Sequence, residues 1–370
     1  MTAEEYRRAA EDVIYLSSCM AKGENPDVER VSRMNLDNLY KVAERHLLTG
    51  IVGYGLEAAG IQDPAFIQGK GKAIRKIVLF DAERSAVLAE LEKAGIFHMP
   101  LKGCVLKEYY PKIGMRQMAD NDILFDVTRS NDVRRIMEGL GFETVVYVQN
   151  NYSHDHYDKP PVCNFELHRA LFTPAADGAI FAYYREHLRE KMIRDEGSKY
   201  RYHLSPEDFY IYMIAHEYKH YSGGGTGLRS LLDTYVYLHR VSLDMDYVRG
   251  EMKKLGIGDF EEDNRRLAFS LFDGEPLTEA DQKMLDYILS SGTYGTMVNR
   301  IRNQIEKKGR WGYFLSRMTL PYDLMVSSYP ILGKMPFLYP FCWAHRLLHA
   351  LLFKRKTVMF QLKAAIRGKV

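Results

Sequence analysis

Two aspartates separated by one residue, Asp120 and Asp122, run directly into the apolar segment Ile123-Leu124-Phe125. Alternate residues of a β-strand face the same side, so both carboxylates are predicted to point into one site. Two carboxylates this close repel each other, and a divalent cation removes that cost. Magnesium prefers oxygen ligands and usually keeps contacts to substrate phosphates. The pair therefore suggests a metal-bridged phosphate site; the alternative is an Asx turn, because Asp-Asn-Asp is also common in loops.

Two neighbouring segments carry groups that fit such a site. Lys102-Gly103 is predicted to end one strand and open a helix, where Gly103 would let the backbone approach a phosphate and Lys102 would add charge. Downstream, Glu166 and His168 alternate on a second predicted strand, so Glu166 could be a third carboxylate beside the aspartates. The alternatives are a plain turn at Lys102-Gly103 and an exposed, cation-paired strand position at Glu166.

The helical half of the chain contributes a second polar group. His216 and His220 are four residues apart in HEYKH and share a helix face. With Glu217 the segment fits a zinc-protease pattern, which would make the protein a zinc-dependent hydrolase, although no third ligand follows at a familiar distance. Arg229 and Asp233 are also four apart on the next helix. From the spacing alone, His216 and Asp233 are expected to make a polar contact between packed helices, and Arg229 and Asp233 an ion pair within one helix.

Periodicity and turn residues predict the elements that position these groups. Residues 1–95 form an N-terminal helical region with a loop at 60–71, because apolar residues recur at three and four. Residues 96–200 form an α/β core in which short apolar or β-branched strands alternate with helices, and His154 and His156 share a strand face as exposed polar residues. Residues 201–370 form a C-terminal helical region, opened by the helix start signal Ser205-Pro206-Glu207-Asp208.

Composition limits the class of protein. The 370 residues, 46% hydrophobic and 12% aromatic, indicate a folded chain of two or three domains, and a net charge of +3 does not indicate a strongly basic nucleic-acid binder. The four cysteines are far apart and form no CxxC pair, which favours reduced thiols over a zinc ribbon or disulfide framework. Because the N-terminal segment does not resemble a secretory signal and no apolar run reaches the ~18 residues of a membrane span, we expect a cytoplasmic protein without a transmembrane segment.

The last part of the sequence differs in charge from the remainder. Residues 324–370 contain eight lysines and arginines and no acid, so the rest of the chain carries a formal −5. Aromatic residues are interleaved with these cations. The segment could contact an anionic partner such as a lipid surface, a polyanion or an acidic protein; the simpler interpretation is a packed helical subdomain with a basic outer face.

These residues together resemble the uncharacterised nucleotidyltransferase family of the DNA polymerase β superfamily. The resemblance runs from about residue 36 to 346 and is sharpest over 101–168. The segments that carry it are Leu101-Lys102-Gly103, Tyr110-Pro111, Arg116, Asp120-x-Asp122, Phe165-Glu166-Leu167-His168, His216, Arg229 and Asp233.

The resemblance implies an α+β fold, with a small mixed-sheet nucleotidyltransferase core flanked by helical N- and C-terminal regions. It implies metal-dependent transfer of a nucleoside monophosphate from ATP or another nucleoside triphosphate to a hydroxyl-bearing acceptor, with release of pyrophosphate. By the resemblance, Asp120 and Asp122 would hold two Mg²⁺ (or Mn²⁺) ions, and Glu166 would join them as the acid that activates the attacking hydroxyl. The residues expected to bind nucleotide are Lys102, Gly103, Arg116, His216 and Arg229.

Two positions differ from the pattern of the superfamily. No serine follows Gly103, and the middle residue of the acid pair, usually apolar, is Asn121. A catalytically inactive protein of the same fold, binding nucleotide or a partner through the same cleft, is therefore the alternative.

Overall fold

The computed structural model describes residues 1–148, 154–174, 178–320, 322–355 and 358–360. The chain divides into two compact units: the first contains residues 1–219 and 226–293, and the second contains residues 220–225 and those from 294 on. The boundaries predicted at residues 95 and 200 do not coincide with this division and stay a prediction.

The first unit begins with a group of helices. They are α1 (Ala3–Lys22), α2 (Val28–Ser32), α3 (Leu36–Arg45), α4 (Thr49–Ala58) and α5 (Pro64–Lys93). The loop predicted at residues 60–71 is wrong for most of its length, because α5 starts at Pro64. Proline occupies the first turn, and the Asp63 carboxylate accepts the backbone N–H groups of Ala65 and Phe66, so the local signals start a helix despite two later glycines.

A five-stranded mixed sheet follows, with two helices between its strands. Its elements are β1 (His98–Pro100), α6 (Gly103–Leu106), β2 (Asn121–Phe125), α7 (Ser130–Gly139), β3 (Glu143–Val146), β4 (His154–Lys159) and β5 (Cys163–His168). The strand order is β1-β2-β5-β4-β3; β2 and β5 are parallel, and the other pairs are antiparallel. Helices flank this mixed sheet, which confirms the predicted α+β fold.

The remaining elements of the first unit are mostly helical. They are α8 (Gly178–Lys191), β6 (Met192–Arg194), β7 (Tyr202–Leu204), α9 (Pro206–Gly223, whose last residues belong to the second unit), α10 (Leu228–Arg240), α11 (Met245–Leu255), α12 (Gly258–Asp273) and α13 (Glu279–Ser291). Strands β6 and β7 form a separate two-stranded sheet.

The strands place alternate residues on two differently covered faces of the sheet. Ile123 and Phe125 pack with Phe80 of α5 and Val133 of α7 in one buried cluster. Leu124 belongs to a second cluster, which contains buried side chains of α8 to α11. Because Asp122 alternates with Ile123, its side chain shares the Leu124 face, the one on the side of α9 and α10.

The second unit is helical and buries few apolar side chains. Its elements are α14 (Met297–Met318), α15 (Tyr322–Ser328) and α16 (Tyr339–Phe353), with 3₁₀ turns at Pro330–Gly333 and Pro336–Leu338. Helix α14 is kinked at Gly309, where φ is +68°. Ile301 and Tyr313 form its small buried cluster. None of the helices in the described ranges is both long and apolar enough to cross a membrane.

Candidate active site

The parallel pairing of β2 with β5 brings two of the predicted carboxylates side by side. Asp122 lies directly opposite Glu166 in the register of these strands. Asp120 stands one residue before β2, rather than within it. The charges of both Asp122 and Glu166 act on the carboxyl group of Asp120, so the three acids share one region near the start of β2.

Asp122 is buried between two basic side chains. Its Oδ1 accepts a hydrogen bond from Lys102 Nζ at 2.7 Å and lies 2.7 Å from Nε2 of His168. Only 3% of the Asp122 side chain is exposed. Burial alone would raise the pKa of this carboxyl, but Lys102 and His168 hold its pKa well below the usual range. Asp122 is therefore ionised, with its charge balanced by neighbouring residues.

Asp120 has the opposite electrostatic environment. Burial and the negative charge of Asp122 raise the pKa of Asp120 to about 7. Two neighbouring acids whose pKa values are pushed apart are a feature of sites that bind cations or move protons.

Lys102 reaches Asp122 from a strained turn between β1 and α6. Its backbone has φ +48°, a conformation that costs free energy for a residue with a side chain. Burial disfavours its charge, yet Asp122 raises the pKa of Lys102 above its ordinary value. The next residue must be small: a Cβ on Gly103 would lie 2.6 Å from a guanidinium nitrogen of Arg116. Packing against Arg116 thus explains the glycine.

Arg116 itself is held by a buried network. Its Nε and one terminal nitrogen donate to the two carboxylate oxygens of Asp233 on α10, at 2.8 and 2.9 Å. The hydroxyl of Tyr110 donates to the same carboxylate at 2.7 Å. Arg116 and Asp233 are both under 10% exposed. The guanidinium thus joins the segment before Asp120 to α10, and its role as a phosphate ligand stays a prediction.

A histidine on each of two strands flanks Glu166. His154 Nε2 lies 3.4 Å from one Glu166 oxygen, and His168 Nε2 lies 3.6 Å from the other. His154 and His156 share a strand face as predicted, opposite His168 and Glu166 in the register of β4 and β5, but the prediction that they are exposed is wrong, because both are half-buried. His154, Glu166 and His168 each offer a ligand atom, all within 4.8 Å of one another. Burial lowers the pKa of His154, which favours its neutral, metal-binding form.

Asn121 lies on the opposite face of β2 from Asp122. Its amide oxygen accepts a hydrogen bond from Arg84 of α5 at 2.9 Å, and the thiol of Cys104 lies 3.5 Å from the same oxygen. The polar residue between the two acids is thus bound on the α5 side of the sheet. Its departure from the expected apolar type does not place an amide among the three carboxylates.

The helical residues are distributed over two helices. Arg229 on α10 donates to the backbone oxygen of Gln117 at 2.9 Å. Gln117 lies shortly before Asp120 in the sequence. On α9, His216 lies with its ring 6.1 Å from that of Tyr212. Glu217 is buried, and its Oε1 has no hydrogen-bond partner among the described residues. Over the described ranges, HEYKH does not supply a metal-binding group of three side chains, whereas His154, Glu166 and His168 do.

Lys219 is a candidate residue that the sequence analysis missed. It is seven residues after Tyr212 on α9, and the charges of Lys102, Asp122 and Glu166 all act on its ammonium group. Burial and the charge of Lys102 lower the pKa of Lys219 to about 8. The charges of Lys102, Asp122 and Glu166 also act on the hydroxyl of Tyr212. Residues seven apart share a helix face, so this spacing was the sequence signal that could have identified Lys219.

Residues 32–273 match the family described as "Uncharacterised nucleotidyltransferase". The chain belongs to this family. The matched range contains every candidate site residue and ends before residue 294, from which the larger part of the second unit extends. No curated protein and no solved structure matches the chain.

Membership in a nucleotidyltransferase family supports a general role in nucleotidyl transfer, and such enzymes typically use divalent metals. The donor set of this chain fits such an ion. Asp120, Asp122 and Glu166 supply carboxylate oxygens from one region, and a cation there would offset both the burial and the charge of Asp122 that raise the pKa of Asp120. His154 and His168 add nitrogen donors beside Glu166.

Proposed function

We propose that this protein transfers a nucleoside monophosphate from a nucleoside triphosphate to a hydroxyl-bearing acceptor. In this reaction the acceptor oxygen forms a bond to the α-phosphorus, the bond to the β-phosphate breaks, and pyrophosphate leaves. The observation that carries the proposal is the register of β2 and β5, which sets Asp122 against Glu166 with Asp120 beside them. In a member of a nucleotidyltransferase family, three acids gathered in this way favour a role in phosphoryl transfer over a purely structural role.

Asp120, Asp122 and Glu166 would hold Mg²⁺ or Mn²⁺. When bound, such ions neutralise charge on the phosphates and on the attacking and leaving oxygens. The nitrogen atoms of His154 and His168 favour Mn²⁺ over Mg²⁺ if they join the ligand set, because imidazole suits transition metals.

In this proposal Glu166 accepts the proton of the acceptor hydroxyl. The His168 contact keeps its pKa below the ordinary value despite burial, so it is ionised at neutral pH. His154 and His168 restrict its orientation from both sides. An ionised, oriented carboxylate can take up a proton as the new bond forms.

The basic residues would bind the triphosphate. Lys102 and Lys219 both act electrostatically on the carboxylates, from the β1–α6 turn and from α9. Gly103, His216 and Arg229 complete the predicted nucleotide contacts, whereas we assign Arg116 the support of this surface through Asp233. Several fixed cations suit a ligand whose charge grows on the leaving pyrophosphate.

One observation favours a second candidate, a nucleotide-binding protein without turnover. Lys102 and His168 contact the same oxygen of Asp122 and balance its charge internally. An Asp122 carboxylate whose charge is already balanced does not require a metal ion. In that case nucleotide would bind through the basic side chains, and Lys102 would keep its ion pair with Asp122.

The experiment that tests the proposal incubates the full chain with each α-³²P-labelled nucleoside triphosphate and Mg²⁺ or Mn²⁺. We expect release of unlabelled pyrophosphate and transfer of label to an acceptor present in a cell extract. Asp122→Asn and Glu166→Gln should abolish transfer, whereas Glu143→Gln, an exposed acid on β3, should not.

Two results would decide between the candidates. Nucleotide binding by calorimetry without label transfer under any metal condition would favour the inactive protein. Equal transfer by Asp122→Asn and the wild type would remove the metal role of the acids.

A further inference from the structure

The second unit exposes an unusual amount of apolar surface. Of 25 large hydrophobic side chains exposed among the described residues, 14 lie between Tyr294 and Met359. They include Trp311, Phe341 and Phe353, each more than 70% exposed. The same unit buries only a small cluster around Ile301 and Tyr313. Monomeric soluble proteins rarely leave such a surface uncovered, so this surface suits a partner.

Helix α16 presents its apolar residues as a stripe. Phe341, Leu348 and Leu352 are all more than half exposed, and their spacings of seven and four place them on one helix face. The opposite face is anchored within the unit: the Trp343 indole donates to the backbone oxygen of Met318, and Arg346 donates to the same oxygen. The helix is thus fixed on one side and apolar on the other.

The second unit carries a large excess of positive charge. From Tyr294 to Val370 there are fourteen lysines and arginines against Glu306 and Asp323, a formal +12; since the whole chain is +3, the remainder carries −9. Lys307, Lys308 and Arg310 are exposed beside Trp311 on α14. Exposed apolar residues beside lysine and arginine are typical of helices that lie in the headgroup region of a bilayer.

We propose that the second unit binds the surface of an anionic lipid bilayer through the α16 stripe. Phe341, Leu348 and Leu352 enter the headgroup region, and exposed cations of the unit, including Lys354 and Arg355 directly after α16, pair with lipid phosphates. A second copy of the chain fits this surface poorly, because it would bring one strongly positive unit against another. A nucleic acid would use the charge but leave the apolar stripe uncovered.

The chain carries its own reporter for this binding. Its two tryptophans, Trp311 and Trp343, both lie in the second unit. Vesicles of phosphatidylcholine with phosphatidylglycerol should therefore shift the tryptophan emission of the full chain to shorter wavelength and carry the protein upward in a density gradient. Vesicles of phosphatidylcholine alone should bind at least about tenfold more weakly, and added salt should reduce the difference.

Matched variants separate this binding from general stickiness. Leu348→Glu/Leu352→Glu should lower vesicle affinity by about tenfold to a hundredfold, because two partly inserted leucines become charged. Ile67→Glu/Val78→Glu, which changes two similarly exposed residues of α5, should float as the wild type does. Because all four changed side chains are exposed, both double variants should show wild-type thermal unfolding. Phe341→Ser provides a second test of the stripe that adds no charge.

Three outcomes would overturn the proposal. The full chain could fail to float with the anionic vesicles, or the stripe variants could float as well as the α5 control. Alternatively, light scattering could show a dimer that Leu348→Glu/Leu352→Glu dissociates, without any flotation, in which case a second copy covers the stripe.

Discussion

Breaking the Arg116–Asp233 ion pair should cost far more stability than breaking any exposed pair of the chain. Both residues are under 10% exposed, and three hydrogen bonds of 2.7 to 2.9 Å converge on the Asp233 carboxylate. Removing one partner leaves the other charge buried without compensation, which costs about 3–5 kcal/mol. Arg116→Met and Asp233→Asn should therefore each lower the free energy of unfolding by that amount.

Urea unfolding followed by far-UV circular dichroism measures this loss. Tryptophan fluorescence would not serve, because both tryptophans lie in the second unit. The matched control is Arg134→Met on α7, which breaks an exposed Arg134–Glu138 pair and should cost less than about 1 kcal/mol. The double variant Arg116→Met/Asp233→Leu removes both charges and should recover most of the stability lost in the single variants.

The competing hypothesis is that Arg116 binds phosphate directly. It predicts that Arg116→Met weakens nucleotide binding while the unfolding curve stays unchanged, and that Asp233→Asn has little effect on either. That combination of results would refute the structural role assigned here.

Three other changes follow from the electrostatics of the first unit. Burial raises the pKa of Glu217 to about 8, so the folded protein keeps a proton that the unfolded chain loses near pH 4.5. The free energy of unfolding of the wild type should therefore fall as the pH rises from 4.5 to 8. In urea unfolding, Glu217→Gln should remove this pH dependence and add up to about 3 kcal/mol at pH 7. Lys219→Met should weaken nucleoside triphosphate binding about tenfold in calorimetry, whereas the control Lys253→Met should bind as the wild type does. Because the pKa of Lys219 is about 8, the nucleotide affinity of the wild type should decline from pH 7 to 9. The same decline in Lys219→Met would exclude Lys219 as its cause. Lys102→Met should tighten Mn²⁺ binding without nucleotide and weaken nucleotide binding; unchanged Mn²⁺ affinity would show that Lys102 does not compete with the ion.

Local signals in the sequence were sufficient for much of the fold. The alternation of short strands with helices predicted after residue 96 is found in the five-stranded sheet, which α6 and α7 interrupt. The loop predicted at residues 60–71 is wrong because the Asp63-Pro64 start signal fixes the first turn of α5, and the later glycines do not interrupt the helix. The pairing of β2 with β5 could not be derived from composition, because Asp122 and Glu166 are far apart in sequence and only the parallel register makes them neighbours.

The candidate site was predictable where the pattern was local. The spacing of Asp120 and Asp122 suggested a shared site, whereas the partners of Arg116 and Asn121 depend on tertiary packing. Asp233 and Arg84, which bind these two side chains, come from helices distant in sequence. Nothing in the local sequence distinguishes a buried arginine that supports a surface from an arginine that contacts phosphate.

The Lys102–Asp122 contact links stability to function in this site. A buried carboxylate without a partner would cost several kcal/mol, so a fold that places Asp122 at 3% exposure needs a cation beside it. Lys102 supplies that charge from within the chain, at the expense of a strained backbone at φ +48°. A divalent ion at Asp122 would make the same charge redundant, and the ammonium group would then be available to phosphate oxygens. The lysine can therefore stabilise the acid pair before binding and the triphosphate afterwards, which is why its replacement should affect metal and nucleotide affinity in opposite directions.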